Sequence, residues 1–238
     1  MLPAQGKLII ISTPIGNLDD ISIRAINSLK SSDLIACENT KHSSILLNKY
    51  GIKTKKISLH KFNETSRIEG IIKAIDDGKT VAYISDAGTP LISDPGARLV
   101  NKIANANHDI QVIPGASAVT CAIAGSGLPA NKFYFGGFLS TKKGARSNEL
   151  EEALLREETS VFFESPHRIK STLEILAEKS PQRQIVLARE MTKKFEEFIR
   201  GTADEIKKIF MDRNPKGEFV LLISGVKLPK SFIFKSIE

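Results

Sequence analysis

The sequence contains almost no cysteine: Cys37 and Cys121 are its only two, and they lie far apart along the chain. Two such residues cannot build a disulfide framework, and they form no CxxC pair of the kind that binds zinc. The four histidines also lack the spacing of a metal site. We therefore expect a protein of a reducing compartment that works without a bound metal.

Long apolar runs are absent as well. No stretch approaches the roughly 18 apolar residues that a membrane span requires, and Met1–Gln5 does not lead into a signal-type segment. We expect a cytoplasmic protein that makes no contact with a membrane. With 238 residues, 41% of them hydrophobic, the chain is long enough for one large or two small domains.

The loops that cradle phosphates in nucleotide-binding proteins are missing too. The first apolar run ends in Thr13–Leu18, TPIGNL, which is not a GxGxxG loop, and no GxxxxGK[ST] run occurs anywhere. A ligand without phosphates therefore fits this chain better than a nucleoside triphosphate or a dinucleotide.

Basic residues outnumber acidic ones by 34 to 27, which gives a net charge of +7 and favours contact with a polyanion such as RNA. Lysine and arginine cluster locally, for example within 142–146. A cluster of this kind is also typical of an ordinary solvated surface, and charge alone does not separate the two interpretations.

Apolar runs alternate with helical patterns from the start of the chain, and this alternation predicts an α/β protein with a parallel sheet. The predicted strands of the first half are 7–12, 34–37, 56–59, 81–84 and 110–113, and the helices between and after them are 21–29, 41–50, 66–77, 96–105 and 117–124. The pattern changes after 125–129. Strands then follow at 133–138, 161–163, 185–188, 197–200 and 219–224, with helices at 148–156, 167–178 and 203–211. We divide the chain into an N-terminal lobe, 1–117, and a C-terminal lobe, 118–238.

Local signals support several of these helix ends. Two pairs have the spacing of a capping box, Ser66 with Glu69 and Thr202 with Glu205. Gly51 and Gly78 stand where glycines commonly end a helix.

The most informative segment is the loop Ser85–Gly96, SDAGTPLISDPG, which follows a predicted buried strand. It holds two carboxylates, two glycines and two prolines, more than a simple chain reversal needs. Open α/β sheets bind their ligands at the carboxyl ends of their strands. The loop is therefore a candidate ligand site, and an elaborate turn is the alternative.

Three further segments follow strands at the same edge: Cys37–His42, His60–Glu64 and Pro114–Ala118. The first two bring polar side chains that are candidates for acid or base chemistry. Each also has a structural alternative, because Glu38 and Glu64 are suited to helix N-termini and His60 to a hydrogen-bonded loop. The small residues of the third segment suit close approach by a ligand or tight packing on the sheet.

Taken together, these motifs resemble the tetrapyrrole methylase superfamily, and most closely its RNA-modifying branch. The similarity spans nearly the whole chain in eight segments, STPIGNL, ENTKHSSILL, LHKFNE, SDAGTPLISDPG, PGASA, FFESPHR, LAREMTKKFEEFIRGT and KGEFVLLISG. It implies two α/β lobes with S-adenosylmethionine bound in the cleft between them, and a homodimer with dimer contacts in the C-terminal lobe. The implied activity is 2'-O-methylation of a cytidine ribose in 16S ribosomal RNA, within the small subunit.

The resemblance also implies roles for individual residues. Cofactor contacts fall on Pro14, Asp86, Gly88, Thr89, Ser117, Ala118, Glu164 and Thr192. Candidates around the acceptor hydroxyl are Glu38, Lys41, His60, Asn63 and Glu64, and candidate RNA contacts are Arg168, Lys142 and Lys143.

Two features depart from the family pattern. The usual Glu-Asp-Thr-Arg is replaced by Glu38-Asn39-Thr40-Lys41, and no small helical domain follows the last strand before Glu238. Two alternatives stay open at this point: a tetrapyrrole C-methyltransferase, and a non-catalytic ribosome-assembly factor of the same fold.

Overall fold

The computed structural model describes residues 6–235, so the expectation about Met1–Gln5 lies outside the described part. The chain divides into two compact units, Met1–Ser117 and Ala118–Glu238. Each has its own five-stranded sheet, and the α/β prediction is confirmed. Within 6–235, no helix is long and apolar enough to cross a membrane.

The first unit is built from alternating strands and helices. Its sheet has the order β3-β2-β4-β1-β5, and every pair in it is parallel. The strands are β1 (Lys7–Ile11), β2 (Leu34–Cys37), β3 (Lys56–Ser58), β4 (Thr80–Ile84) and β5 (Asp109–Ile113), and the helices are α1 (Ile23–Ser31), α2 (Thr40–Lys49), α3 (Glu64–Asp76) and α4 (Ala97–Asn105).

Helices cover both faces of this sheet. Side chains of a strand alternate between the two faces, and here both sets are apolar, so each face needs a cover. Ile9 and Ile11 of β1 pack in one core with α1 and α2. Leu8 and Ile10 pack in the other with α3 and α4. The helix that follows β4 therefore lies on one face of the sheet, and the helices that follow its neighbours β1 and β2 lie on the opposite face. Connections that diverge in this way open a crevice at the carboxyl ends of the strands.

The ends of the helices test the capping predictions. Gly51 and Gly78 have positive φ angles of 63° and 80°, and each directly follows the C-cap residue of its helix, Tyr50 for α2 and Asp77 for α3, as predicted. The capping box at Ser66 is wrong, because α3 begins two residues earlier, with Asn63 at the N-cap. The Ser66 hydroxyl donates to the carbonyl of Asn63 instead, at 2.9 Å.

The second unit has a mixed sheet of order β6-β7-β10-β8-β9, in which only β6 and β7 are parallel. The Thr202–Glu205 capping box is confirmed at the start of α8. The strands are β6 (Phe133–Phe138), β7 (Thr159–Glu164), β8 (Gln184–Arg189), β9 (Glu197–Thr202) and β10 (Phe219–Ile223), and the helices are α5 (Ala118–Ser126), α6 (Lys143–Leu155), α7 (Ile169–Lys179) and α8 (Ala203–Met211).

Helix α6 begins at Lys143, five residues before the predicted start at Asn148. Gly144 and Ser147 are weak helix formers, so residue type does not indicate a helix in this first turn. Arg146 stabilises it from within the unit, because its guanidinium donates to the carbonyls of Ser140 and Thr141 and to the Ser171 hydroxyl of α7.

Candidate functional site

The loops that follow β1 and β4 are joined at the carboxyl edge of the first sheet. The N–H of Thr13 donates to the carbonyl of Gly88 at 2.8 Å, and the N–H of Gly88 donates to the carbonyl of Thr13 at 3.1 Å. The Thr13 hydroxyl also donates to the carbonyl of Ser85 at 3.2 Å. Gly88 has a φ of +79°, a region that favours glycine, so the residue type is set by the turn.

Hydroxyl groups connect these two loops with the loop after β5. The Ser12 and Thr89 hydroxyls lie 2.9 Å apart, and Thr89 also donates to the carbonyl of Ala116 at 3.4 Å. A Cβ at Gly115 would lie 3.0 Å from the Cβ of Ser12. The small residues after β5 therefore pack closely against β1, and Thr89 stands where all three loops meet.

The loop Ser85–Gly96 is also fixed at its far end. The Tyr83 hydroxyl donates to the carbonyl of Pro95 at 2.7 Å, and burial is the main cause that raises the pKa of this phenol. Gly96 has a φ of +116°, and a Cβ there would lie 2.4 Å from the Tyr83 ring. Anchored at both ends, the loop holds its carboxylates in a defined place.

Asp86 connects this loop with the start of α2. Its Oδ1 accepts the N–H of Asn39 at 3.2 Å. The Asn39 side chain is the N-cap of α2, because its Oδ1 accepts the N–H groups of Lys41 and His42 at 3.0 and 3.2 Å. Asparagine caps a helix about as well as aspartate, so the departure from the family's Glu-Asp-Thr-Arg pattern preserves the local structure.

Three carboxylates, Glu38, Asp86 and Asp94, influence one another at this edge. Burial and then the charge of Glu38 raise the pKa of Asp94 to about 6, against a hydrogen bond from Ser85. Burial and then the charge of Asp86 raise the pKa of Glu38, while His60 lowers it. The resulting acidic edge suits a cationic ligand and disfavours a phosphate.

Asp94 was not among the residues that the sequence analysis assigned to the site. The available signal was the second carboxylate of the SDAGTPLISDPG loop, eight residues after Asp86. Spacing within a loop does not reveal which side chains approach each other, because the path of the loop depends on contacts such as that of Tyr83 with Pro95.

The predicted acceptor residues differ in how far structural contacts occupy them. Asn63 accepts the N–H of His60 at 2.8 Å and donates to the carbonyl and hydroxyl of Ser58, both at 3.2 Å. Glu64 is 7% exposed, and its Oε1 accepts the N–H of Leu99 in α4 at 3.2 Å. Both side chains therefore have structural roles in the first unit.

The remaining acceptor candidates are more open. Glu38 and His60 are half-buried, and Lys41 is exposed in the first turn of α2. Nδ1 of His60 accepts the N–H of Phe62 at 3.3 Å. Glu38, Lys41 and His60 thus stay the stronger candidates for contact with an acceptor.

Glu164 and Arg168 form an ion pair at the carboxyl end of β7. The Glu164 side chain is fully buried, and it accepts from the N–H of Ser165 at 2.7 Å, from Nε of Arg168 at 3.0 Å and from the Thr172 hydroxyl at 2.6 Å. A carboxylate enclosed in this way presents no surface to a ligand. The expected contact of Glu164 with the cofactor conflicts with this burial.

Thr192 lies at the same edge of the second sheet, because Glu164 and Arg189 both pair with Phe219 of β10. Glu190 and Thr192 have φ angles of +49° and +65°, which are unusual for residues other than glycine. Backbone strain of this kind clusters at ligand-binding sites, and it supports a functional role for the loop after β8.

Comparison with known proteins connects this geometry with a family. The family model for tetrapyrrole (corrin/porphyrin) methylases matches residues 7–207. A Thermotoga maritima protein named ribosomal RNA small subunit methyltransferase I is 45% identical over 222 residues, which cover 93% of this chain and 99% of that protein. A Bacillus subtilis protein of the same name is 43% identical over 221 residues, covering 93% and 76%.

Solved structures agree at the level of the fold. A diphthine synthase has a TM-score of 0.71 at 14% identity, covering 95% of this chain and 92% of that one. The uroporphyrin-III-C-methyltransferase from Thermus thermophilus has a TM-score of 0.63 at 18% identity, covering 97% and 100%.

Proposed function

Because this chain belongs to the tetrapyrrole methylase family, we propose that it transfers a methyl group from S-adenosylmethionine to the 2'-hydroxyl of a cytidine ribose in 16S ribosomal RNA. The observation that carries the proposal is the 45% identity, along almost its full length, with a protein named a ribosomal RNA small subunit methyltransferase. The solved tetrapyrrole methyltransferase is much more distant, at 18% identity, and supports the fold alone.

The acidic edge of the first sheet fits the proposed cofactor. S-adenosylmethionine carries a positively charged sulfonium and an ammonium group, and Glu38, Asp86 and Asp94 offer negative charge to both. Backbone groups of the joined loops satisfy its polar ends. The residues proposed to contact it are Pro14, Asp86, Gly88, Thr89, Ser117 and Ala118, and Thr192 is a further proposed contact.

The bound cofactor supplies an electrophilic methyl group for direct displacement by the ribose oxygen. The protein's main task is then to hold the acceptor hydroxyl in line with that group. Glu38 is the proposed base for the hydroxyl proton, since a carboxyl group with a raised pKa is a better proton acceptor near neutral pH. Lys41 and His60 are proposed to orient the ribose and its phosphates.

The RNA is proposed to contact Arg168, Lys142 and Lys143, consistent with the net charge of +7. We also propose the small ribosomal subunit as the substrate particle and a homodimer as the working form. Bacterial ribosomes are assembled in the cytoplasm, so this substrate implies a cytoplasmic protein.

The proposal is tested by incubating the protein with radioactively labelled S-adenosylmethionine and one acceptor at a time. The acceptors are small ribosomal subunits from a strain that lacks this protein, naked 16S RNA and a porphyrinogen. We expect label in the RNA of the subunits. Label in the porphyrinogen alone would favour a tetrapyrrole C-methyltransferase, and binding without any transfer would favour an assembly factor.

A further inference from the structure

Two neighbouring segments of the second unit carry an excess of positive charge. Segments 140–146 and 164–171 lie at the carboxyl ends of the parallel strands β6 and β7, and together they hold five lysines or arginines and one carboxylate, Glu164. One further carboxylate, that of Glu149 in α6, accepts the N–H of Ser140 at 2.9 Å. Nη2 of Arg146 donates to the Ser171 hydroxyl at 3.1 Å, which connects the two segments directly. We call these two segments the basic edge.

Only one of the three guanidinium nitrogens of Arg168 makes a hydrogen bond within the described residues. Nε donates to Glu164, whereas Nη1 and Nη2 make no hydrogen bond or ion pair with any residue between 6 and 235. The side chain keeps 24% of its area exposed. A guanidinium fixed through Nε presents its two terminal nitrogens together, the geometry that binds two oxygens of a phosphate.

The buried guanidinium of Arg146 positions the other segment of the basic edge, 140–146. Arg146 is 4% exposed, and its guanidinium contacts carbonyls and a hydroxyl but no carboxylate among the described residues. Its Nε is one of the few buried side-chain atoms that find no partner there. Its charge is therefore only partly compensated, and its contacts hold the segment that carries the exposed Lys142 and Lys143.

We propose that the basic edge binds phosphate groups of the RNA backbone, and that Glu164 is a positioning residue which orients Arg168 toward them. This rests on the proposed function, and it replaces the expected contact of Glu164 with the cofactor. The carboxylate of S-adenosylmethionine is the other anion that Arg168 is able to bind. The test therefore measures the binding of RNA and the binding of the cofactor separately.

The experiment compares the wild type with Arg168→Ala, Arg168→Lys, Glu164→Gln, the combined variant Glu164→Gln/Arg168→Ala, and the surface double variant Lys142→Ala/Lys143→Ala. Lys132→Ala is the matched control, because it removes an exposed charge just before β6, at the opposite end of the strand. For each variant we measure KM for small subunits, kcat, the salt dependence of RNA binding and the calorimetric affinity for S-adenosylmethionine.

We expect Arg168→Ala to raise KM for the subunits about tenfold or more and to lower the salt slope by about one, with unchanged affinity for the cofactor. Arg168→Lys should recover little of this loss, since a lysine lacks the planar fork. Glu164→Gln should raise KM in the wild-type background and have little further effect when Arg168 is already alanine, because it acts through that residue.

Three results would overturn the proposal. One is an unchanged KM in both Arg168→Ala and the lysine double variant. The double variant changes only exposed side chains, so this result is informative even if Glu164→Gln does not fold. Another is an effect of Glu164→Gln that is fully retained in the Arg168→Ala background. The third is weaker cofactor binding by Arg168→Ala, which would make its partner the methionine carboxylate. A wild-type protein without methyl transfer would instead contradict the proposed function.

Discussion

At the scale of single residues, the acidic edge of the first sheet depends on a few carboxylates with different tasks. Asp86 is half-buried and contacts the backbone of Asn39, while Asp94 and Glu38 have raised pKa values. Glu64 instead serves the start of α4. Residue type and strand-end position were therefore good predictors of where the carboxylates lie and poor predictors of what each one does.

Asp86→Ala should abolish measurable binding of S-adenosylmethionine without unfolding the protein, because Asp86 lies in a loop and not in a packed core. Calorimetry measures the affinity, and thermal unfolding checks the fold. Asp109→Ala, which removes an exposed carboxylate at the opposite edge of the same sheet, is the control. Wild-type affinity in a folded Asp86→Ala variant would remove this residue from the site.

Glu38→Gln should slow methyl transfer by about 10² to 10⁴-fold and leave cofactor affinity nearly unchanged, since a base acts on the acceptor hydroxyl in the transition state. Single-turnover assays on small subunits measure the transfer step. A loss of less than tenfold would exclude Glu38 as the base, and His60 would then be examined in the same way.

Asp94 predicts how stability changes with pH. Its folded-state pKa of about 6 lies above the ordinary value of 3.8, so the folded protein keeps a proton that the unfolded chain releases. The contribution of Asp94 to stability therefore falls as the pH rises from about 4 to about 6. Asp94→Asn should remove this dependence and stabilise the protein at pH 8 by about 1 to 2 kcal/mol, partial exposure included.

Denaturant unfolding of the wild type and of Asp94→Asn at pH 4.5 and pH 8 measures this difference. Equal stability of the two proteins at both pH values would show that the Asp94 carboxyl is not perturbed.

At the scale of the elements, caps and glycines decide how the loops at the sheet edge are placed. Gly96 precedes α4 and has no side chain to cap it, so the N–H of Leu99 uses the carboxylate of Glu64 from the start of α3. Asn63 similarly fixes the turn between His60 and α3. The acceptor segment and the loop after β4 are thus connected through helix ends.

Glu64→Ala should destabilise the first unit by about 1 to 3 kcal/mol, because the buried N–H of Leu99 loses its acceptor. The turnover of the folded fraction should stay close to that of the wild type. Chemical unfolding and single-turnover assays on one preparation separate the two effects. A stable variant with a hundredfold slower transfer would restore Glu64 as a catalytic candidate.

Gly96→Ala tests the anchoring of the loop Ser85–Gly96. The added Cβ would overlap the Tyr83 ring at a positive φ, and we expect a loss of roughly 2 to 4 kcal/mol together with weaker cofactor binding. Gly51→Ala is the matched control: its φ is also positive, at +63°, but a Cβ there meets no atom within 4 Å. Its cost should be about 1 to 2 kcal/mol, with unchanged cofactor affinity. Equal losses of unfolding free energy in both variants would show that overlap with the Tyr83 ring does not destabilise the protein.

Most elements were predictable from the sequence, and the exceptions have physical causes. Apolar runs such as those of β2 and β10 identify buried strands, and Gly51 and Gly78 mark helix ends correctly. The starts of α3 and α6 were wrong because they depend on side-chain contacts of Asn63 and Arg146, which residue type and spacing alone do not reveal. For the same reason the contacts of Asp94 and Glu164 could not be predicted.

At the scale of the whole molecule, the described residues separate charge by unit. The first sheet gathers carboxylates at its carboxyl edge, whereas the basic edge of the second unit gathers lysines and arginines. An acidic site for a cationic cofactor and a basic surface for an RNA backbone are what a methyltransferase acting on RNA requires. The homodimer stays a prediction, and light scattering of the purified protein measures it.

We conclude that this chain methylates a ribose 2'-hydroxyl of a cytidine in 16S ribosomal RNA. The most direct test of this conclusion is nucleoside mass spectrometry of RNA from small subunits of a strain lacking this protein, after incubation with S-adenosylmethionine and the purified chain. We predict one new 2'-O-methylcytidine, absent when Asp86→Ala replaces the wild type. A methyl group on a base, or no new modified nucleoside with a protein that binds the cofactor, would contradict the account.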